Sequence, residues 1–312
     1  MDAVDGERPR TLVIFPGALG DLICLLPTLS AIAERHPESQ LCLMARFELA
    51  RFAVGRTPVA RAFSMDRPDV AQLFTPSAAP RFFRNFTRIY SFFAGDNEQF
   101  RRSLEAAARD VRFLPFRPHQ EGHIAEAYLR AIDAPCGQPC EPRVTPLPED
   151  VAAARAVLER RRLAARTFLM LLPGSGSRAK NWPVESFVEL ARRLSPELRS
   201  LCVLGPAEAG LASVFRAAGI ETVDGLELGV VAALATQAAA FLGNDSGVSH
   251  LAAAAGAPGV ALFGPTDPSR WRPLGVVRVL SSEFMAKLSV DEVVEALTCQ
   301  SRSGAVRIEN SD

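Results

Sequence analysis

Lysine is nearly missing from this sequence. Of its 35 basic residues only Lys180 and Lys287 are lysines, and the other 33 are arginines. Lys180 lies inside PGSGSRAKNW, residues 173–182, between a Gly/Ser loop and Trp182-Pro183. Net charge is missing as well: 35 basic groups balance 35 acidic ones, so bulk electrostatics gives no sign of a nucleic-acid partner. No run of about 18 or more uninterrupted apolar residues occurs, so no helix is expected to span a bilayer. The opening MDAVDGERPR is polar and unlike a signal peptide, and a cytoplasmic protein is expected. No short-period repeat is present.

The chain has 312 residues and 48% hydrophobic content, enough for two domains with separate cores. Of its six cysteines, Cys24, Cys42 and Cys202 sit in apolar runs and read as small core residues. Cys136 and Cys140 flank a Gly/Pro loop. With His119 and His123 they could form a zinc set; the plainer reading puts both histidines at the start of the helix HQEGHIAEAYLRAID and the cysteines in a linker.

Short apolar runs alternate twice with helix-like segments. RTLVIFPG, QLCLMA, AFSMD, RIYSFFA and VRFLPF read as strands in the first half. TFLMLLPG, SLCVLGP, ETV, AAFLGN, GVALFG and VRVL do so in the second, where helices are expected over 183–194, with Pro183 in its first turn, and over 207–217. Near-continuous apolar strands between helices predict parallel sheets covered on both faces. Residues 134–148 hold five prolines, which suits a stiff linker. The expected architecture is α/β, two Rossmann-like doubly wound domains facing a cleft, with boundaries 1–140 and 141–312, a last helix near 289–298 and a loose polar tail. Ligands of such sheets bind outside the carboxyl ends of the strands.

Three loops at strand ends carry polar residues that a turn alone does not need. In FPGALGDLICLLP, Gly17 and Gly20 allow a tight turn and Asp21 begins a helix. Asp21 reads equally as an N-cap or as a general base. In PGSGSRAKNW, Ser175 and Gly176 offer hydroxyl and amide donors to an anion, and Lys180 offers a compact charge. It is not a Walker loop, which needs Gly-Lys-Ser/Thr. The pattern Gly174-x-Gly176-x-x-Ala179 nominally meets a dinucleotide fingerprint, but the next helix is expected only near Pro183. In FLGNDSGVSHLAAAAGAP, Asp245, Ser246 and Gly247 make the turn and His250 follows on an Ala-rich helix whose N-terminus suits phosphate. Asp245 also reads as a plain N-cap, and His250 as an ordinary helix histidine. After the strand SLCVLG, Glu208 could receive a ribose diol or be a solvated first-turn residue.

Taken in order, GALGDLICLLPTLSAIAERHP, PGSGSRAKNWPVESFVELARRL and FLGNDSGVSHLAAAAGAPGVALFGPTDPSRW resemble glycosyltransferase family 9, the lipopolysaccharide heptosyltransferases and their relatives. The resemblance spans nearly the whole chain. It implies a GT-B fold with an N-terminal acceptor domain and a C-terminal nucleotide-sugar donor domain. It also implies an inverting, metal-independent transferase of the cell envelope, with no cofactor and ADP-heptose as the donor substrate. By motif position, Asp21 is the base on the acceptor-side loop of Gly17 and Gly20. Ser175, Gly176 and Lys180 meet the donor diphosphate. Asp245, Ser246, Gly247 and His250 line the donor sugar and phosphates, and Glu208 the ribose. Lys180 then answers the question its rarity raises: a point charge fits a tight loop where a guanidinium fork is too wide. A base and a diphosphate clamp on different domains imply domain closure.

Some positions depart from the family pattern. No basic residue stands just before Gly17, Asp-Thr-Gly is Asp245-Ser246-Gly247, no Cys-rich loop follows Trp271, and residues 81–102 lack an aspartate-flanked strand. These changes leave the donor sugar and the acceptor open. Residues 81–117 hold eight arginines against four acidic groups. They read as a solvated helix face or as a patch for a lipid-linked acceptor and peripheral contact with the inner membrane. A monomer or weak oligomer is expected. Two other functions are compatible with the residues: a nucleotide-sugar binding protein without transfer, which retention of Asp21 argues against, and an NAD-dependent oxidoreductase.

Overall fold

The computed structural model describes residues 8–76, 80–119, 121–135, 140–195 and 197–300. The chain divides into two compact units, Met1–Cys140 and Glu141–Asp312.

The first unit alternates β1 (Arg10–Ile14), α1 (Leu19–Arg35), β2 (Gln40–Ala45), α2 (Phe47–Ala53), β3 (Arg61–Ser64), α3 (Pro68–Gln72), β4 (Arg88–Ser91), α4 (Glu98–Ala107), β5 (Asp110–Phe113) and α5 (Ile124–Ala131). The strands pair in parallel in the order β3-β2-β1-β4-β5, with Leu12 opposite both Cys42 and Ile89. β1 and the central part of its neighbours are buried on both faces, which is why their sequences are unbroken apolar runs. Leu12, Ile14, Met44, Ile89, Phe100 and Leu104 form one core against α4. Strand order reverses between β1 and β4. The loops leaving these two strands therefore diverge to opposite faces and open a crevice at their carboxyl ends.

The second unit repeats the plan with α6 (Pro148–Arg160), β6 (Phe168–Leu172), α7 (Val184–Leu194), β7 (Arg199–Leu204), α8 (Ala212–Ala217), β8 (Glu221–Asp224), α9 (Leu228–Gln237), β9 (Ala240–Asn244), α10 (Gly247–Ala254), β10 (Gly259–Phe263), α11 (Pro268–Trp271), β11 (Val277–Ser281) and α12 (Val290–Gln300). Its parallel order is β11-β10-β9-β6-β7-β8, so the reversal falls between β6 and β9. Leu169, Leu171, Phe187, Cys202, Leu242 and Leu262 pack the core between sheet and helices.

The alternation expected from the sequence is present, with three local differences. The helix expected from His119 begins only at Ile124, because Gly122 takes a left-handed φ of 87° that a helix does not accept. His123 instead caps α5, its Nδ1 accepting from the Ala125 N–H at 3.2 Å. The helix expected over 207–217 divides into a 3-10 turn, Pro206–Leu211, followed by α8. Pro183 stands at the N-cap of α7 rather than inside its first turn. Cys136, one member of the candidate zinc quartet, and most of the polar tail lie outside the described residues. Among the described residues no three His, Cys, Asp or Glu side chains gather as a metal site would require.

Candidate active site

At the switch point of the first unit, β1 runs into Phe15, Pro16, Gly17 and Ala18 before α1 begins. Asp21 is not the N-cap: Ala18 is, and Asp21 reaches back from the third helical position to accept the Ala18 N–H at 3.1 Å. The aspartate is 5% exposed. Such a buried carboxylate needs a compensating charge, and Arg117, after β5, supplies it. Arg117 Nε donates to Oδ1 and Nη2 donates to Oδ2, both at 2.9 Å. This bidentate pair holds the guanidinium pKa above its ordinary value. Arg117 itself adopts a left-handed φ of 54°, a sparsely populated conformation for a side chain of its size.

The loop is shaped by packing. A Cβ on Gly17 would come within 2.4 Å of the Phe15 ring and 2.6 Å of the Asp21 Cβ. Phe15 in turn meets Phe92, Phe116 and Tyr128 edge to face at 5.6–5.8 Å, so an aromatic block fixes the floor under Asp21. Oδ2 carries two hydrogen bonds and Oδ1 one. A carboxylate offers about four lone-pair positions, so Oδ1 retains the greater capacity for a further proton.

At the switch point of the second unit, the loops after β6 and β9 meet. Lys180 closes a 3-10 turn, Arg178–Lys180, and its Nζ donates to Asp245 Oδ2 at 2.7 Å. The lysine side chain is 30% exposed and the aspartate 8%. Asp245 is therefore not the cap of α10. Ser246 is the N-cap, and its Oγ accepts from the Ser249 N–H at 3.4 Å. The Ser249 hydroxyl donates to the Asn244 carbonyl at 2.6 Å and lies where a Gly243 Cβ would be, 2.3 Å away, so β9 and α10 fit only with glycine there. The Ser175 hydroxyl bonds within its own loop, 2.7 Å from the Ser177 carbonyl and 2.6 Å from Asn181 Oδ1.

A pocket of about 560 Å³ opens beside this loop, lined in part by Ser175, Gly176, Asn181, Val184, Glu208 and Leu211. Glu208 enters it from the 3-10 turn after β7. Its carboxylate lies over the backbone of Gly174 and Gly205: a Cβ on Gly174 would meet the Glu208 Cδ at 2.5 Å, and one on Gly205 its Oε2 at 2.7 Å. Gly174→Ala is thus expected to expel the Glu208 carboxylate from the pocket wall. If Glu208 receives a ribose, nucleotide affinity should drop about tenfold, as for loss of a hydrogen bond by a charged group, with the fold retained. Isothermal titration with ADP checks this, and unchanged affinity would remove Glu208 from the nucleotide contact.

The structure distributes the expected donor-side residues over two neighbouring places. Ser175, Gly176 and Glu208 line the pocket. Lys180, Asp245, Ser246, Gly247 and His250 belong to the junction of the loop with the start of α10, where Ser246 and His250 are buried and Gly247 is partly exposed. Gly17 lies in the β1–α1 turn, whereas Gly20, expected in the same turn, is already the second residue of α1, directly before Asp21. Sequence reading missed Arg117. It stands 96 positions from its partner and is one of 33 arginines, so nothing local sets it apart. Of the eight arginines over 81–117, five pair with carboxylates: Arg88, Arg101, Arg102, Arg112 and Arg117. Much of that positive charge is thus balanced within the unit. No helix among the described residues is long and apolar enough to cross a membrane.

Two doubly wound units, one with a buried aspartate at its switch point and the other with a lysine beside a pocket of about 560 Å³, are the architecture on which glycosyltransferases of paired Rossmann-like folds are built. Within that class the chain belongs to glycosyltransferase family 9 (heptosyltransferase), whose sequence profile matches residues 100–293. It is 27% identical over 301 residues to lipopolysaccharide heptosyltransferase 1 of Pseudomonas aeruginosa, covering 88% of this chain and 84% of that protein. The fold matches a family 9 glycosyltransferase from Veillonella parvula with a TM-score of 0.80 at 17% identity, over 96% of this chain and 98% of that one. It also matches the ADP-heptose lipopolysaccharide heptosyltransferase II of E. coli with a TM-score of 0.74 at 20% identity, over 93% and 98%.

Proposed function

We propose that this enzyme transfers heptose from ADP-heptose to a lipopolysaccharide-type envelope acceptor, with inversion and without a metal ion. The observation that carries the reading is Lys180, held by Asp245 at the switch point beside the 560 Å³ pocket. An ammonium there can meet a diphosphate whose nucleoside extends toward Glu208. The similarity to heptosyltransferases, one of them named for ADP-heptose, supports the choice of donor.

In the proposed step an acceptor hydroxyl oxygen bonds to the anomeric carbon of the heptose while the bond from that carbon to the diphosphate oxygen breaks. The acceptor proton passes to Asp21 Oδ1, and ADP leaves with the bonding electron pair. Negative charge grows on the departing oxygen, so fixed donors aimed at it lower the barrier. Lys180, the loop amides after Gly174 and the free N–H groups at the start of α10 are those donors. Attack from the face opposite the leaving group inverts the anomeric centre. Arg117 acts through Asp21, holding the carboxylate in one rotamer. Arg117→Ala should therefore lower kcat about tenfold, less than loss of Asp21 itself, with KM for the donor unchanged. Steady-state kinetics checks the split.

The reading is tested by thermal-shift measurement with ADP, ADP-heptose, UDP, GDP, CMP and NAD. A ligand at 100 times its dissociation constant stabilises the fold by about 2.7 kcal/mol. Stabilisation by ADP and ADP-heptose is expected. Stabilisation by UDP or GDP alone would replace the donor, and a response to NAD alone would overturn the transferase reading.

A further inference from the structure

The segment from Pro173 to Trp182 leaves β6, carries Ser175 and Lys180, and returns to α7. Both of its ends meet one side chain. Asn244, the last residue of β9, is fully buried. Its Nδ2 donates to the Pro173 carbonyl at 2.6 Å, and its Oδ1 accepts from the Trp182 N–H at 3.1 Å. The next residue, Asp245, holds Lys180. Trp182 is locked in turn: it is 2% exposed, its indole N–H donates to the Leu288 carbonyl at 2.9 Å, and its ring meets Phe187 edge to face at 5.0 Å.

We infer that Asn244 is a positioning residue: its carboxamide clasps both ends of the 173–182 loop and thereby fixes Lys180 and the loop amides for the donor diphosphate. Closing a loop on a rigid anchor removes most of its conformational freedom before ligand arrives. Only a group that donates on one side and accepts on the other serves. A carboxylate would set negative charge against the Pro173 carbonyl oxygen, while an apolar side chain would leave that carbonyl and the Trp182 N–H unpaired. The same geometry explains why the strand ends in Asn immediately before Asp: one residue holds the ends of the loop and the next holds its cation. The link to catalysis rests on the donor reading above; the clasp itself does not.

Asn244→Asp tests the inference because a neutral carboxylic acid reproduces the amide, its O–H donating to Pro173 and its C=O accepting from Trp182. Burial favours the neutral acid and raises its pKa. The clasp should then be present at low pH and lost as pH rises and the acid ionises. The titratable groups on the elements that meet here are Arg178 and Lys180 on the loop, Asp245 next in sequence, His250 on α10 and Glu208 over Gly174. These are common to the wild type, so the readout is the ratio of variant to wild type at each pH.

Two quantities are measured on the full chain: hydrogen exchange of peptides covering 174–181, and ADP affinity. At about pH 8 the variant's loop amides should exchange at least about tenfold faster than wild type, and ADP should bind about tenfold more weakly. At about pH 5 both ratios should return to within about threefold of one. Asn244→Leu, which cannot ionise, should show the loss at both pH values, and it serves if the aspartate variant does not fold. Wild-type protection and affinity in these variants at about pH 8 would overturn the inference. So would exchange that rises equally throughout the second unit, since Asn244 would then support the fold rather than the loop. If the loop alone loosens while wild type binds no ADP, the clasp stands and the donor reading falls.

Discussion

Asp21→Asn is expected to lower transfer by about 10²–10⁴-fold, the range for loss of a general base, while ADP-heptose binding stays near wild type. The substitution is close to isosteric. An asparagine Oδ1 can still accept the Ala18 N–H that now bonds to Asp21 at 3.1 Å, so α1 should keep its start. What is lost is proton affinity and the second half of the Arg117 fork. Arg117 is half exposed and can return its charge to water, which limits the cost to stability to about 1 kcal/mol. A rate loss with intact binding separates a catalytic aspartate from a structural one. Equal loss of Tm and activity would leave Asp21 only as part of the helix start. Full activity in Asp21→Asn would remove it from the mechanism.

Lys180→Ala should reduce kcat by about 10²–10³-fold, the effect of deleting one donor aimed at the developing charge of a leaving group, and should weaken ADP as well. A second consequence follows from its partner. Asp245 has a side chain only 8% exposed, and without Lys180 its carboxylate is left without the cation. The variant should lose about 1–3 kcal/mol of stability on that account. Lys180→Ala combined with Asp245→Asn separates the two effects: stability should recover and turnover should not. Lys180→Arg should restore neither fully, since the planar fork must reach Asp245 and the diphosphate from a turn three residues long. Chemical denaturation and steady-state kinetics on the four proteins check the set. Wild-type kcat in Lys180→Ala would exclude the diphosphate contact.

The fold was readable because the central strands β1, β6, β7, β9 and β10 are near-continuous apolar runs that end in or run into Gly, Pro or Asn. The loops around Asp21, Lys180 and Asp245 were readable because polar residues follow such runs directly. The pairings between loops were not. Lys180 meets Asp245 across 65 positions, Arg117 meets Asp21 across 96 and Asn244 meets Trp182 across 62. Strand order, which no local pattern encodes, creates those contacts by bringing β6 beside β9 and β4 between β1 and β5. Local competition between similar residues left the cap of α10 open. Asp245 and Ser246 are both good caps; in the structure Ser246 takes the role and Asp245 pairs with Lys180. At His119–His123, helix-like composition yielded to the left-handed backbone of Gly122.

The central claim is that heptose moves from ADP to an acceptor hydroxyl with Asp21 as base and no metal. The most direct measurement is ADP release from ADP-heptose with a heptose-free lipopolysaccharide acceptor, in the presence of EDTA, with the anomeric configuration of the product determined. Acceptor-dependent release matched by an inverted glycosidic product is the result expected. No acceptor-dependent release, retention of configuration, or loss of turnover in EDTA would contradict it.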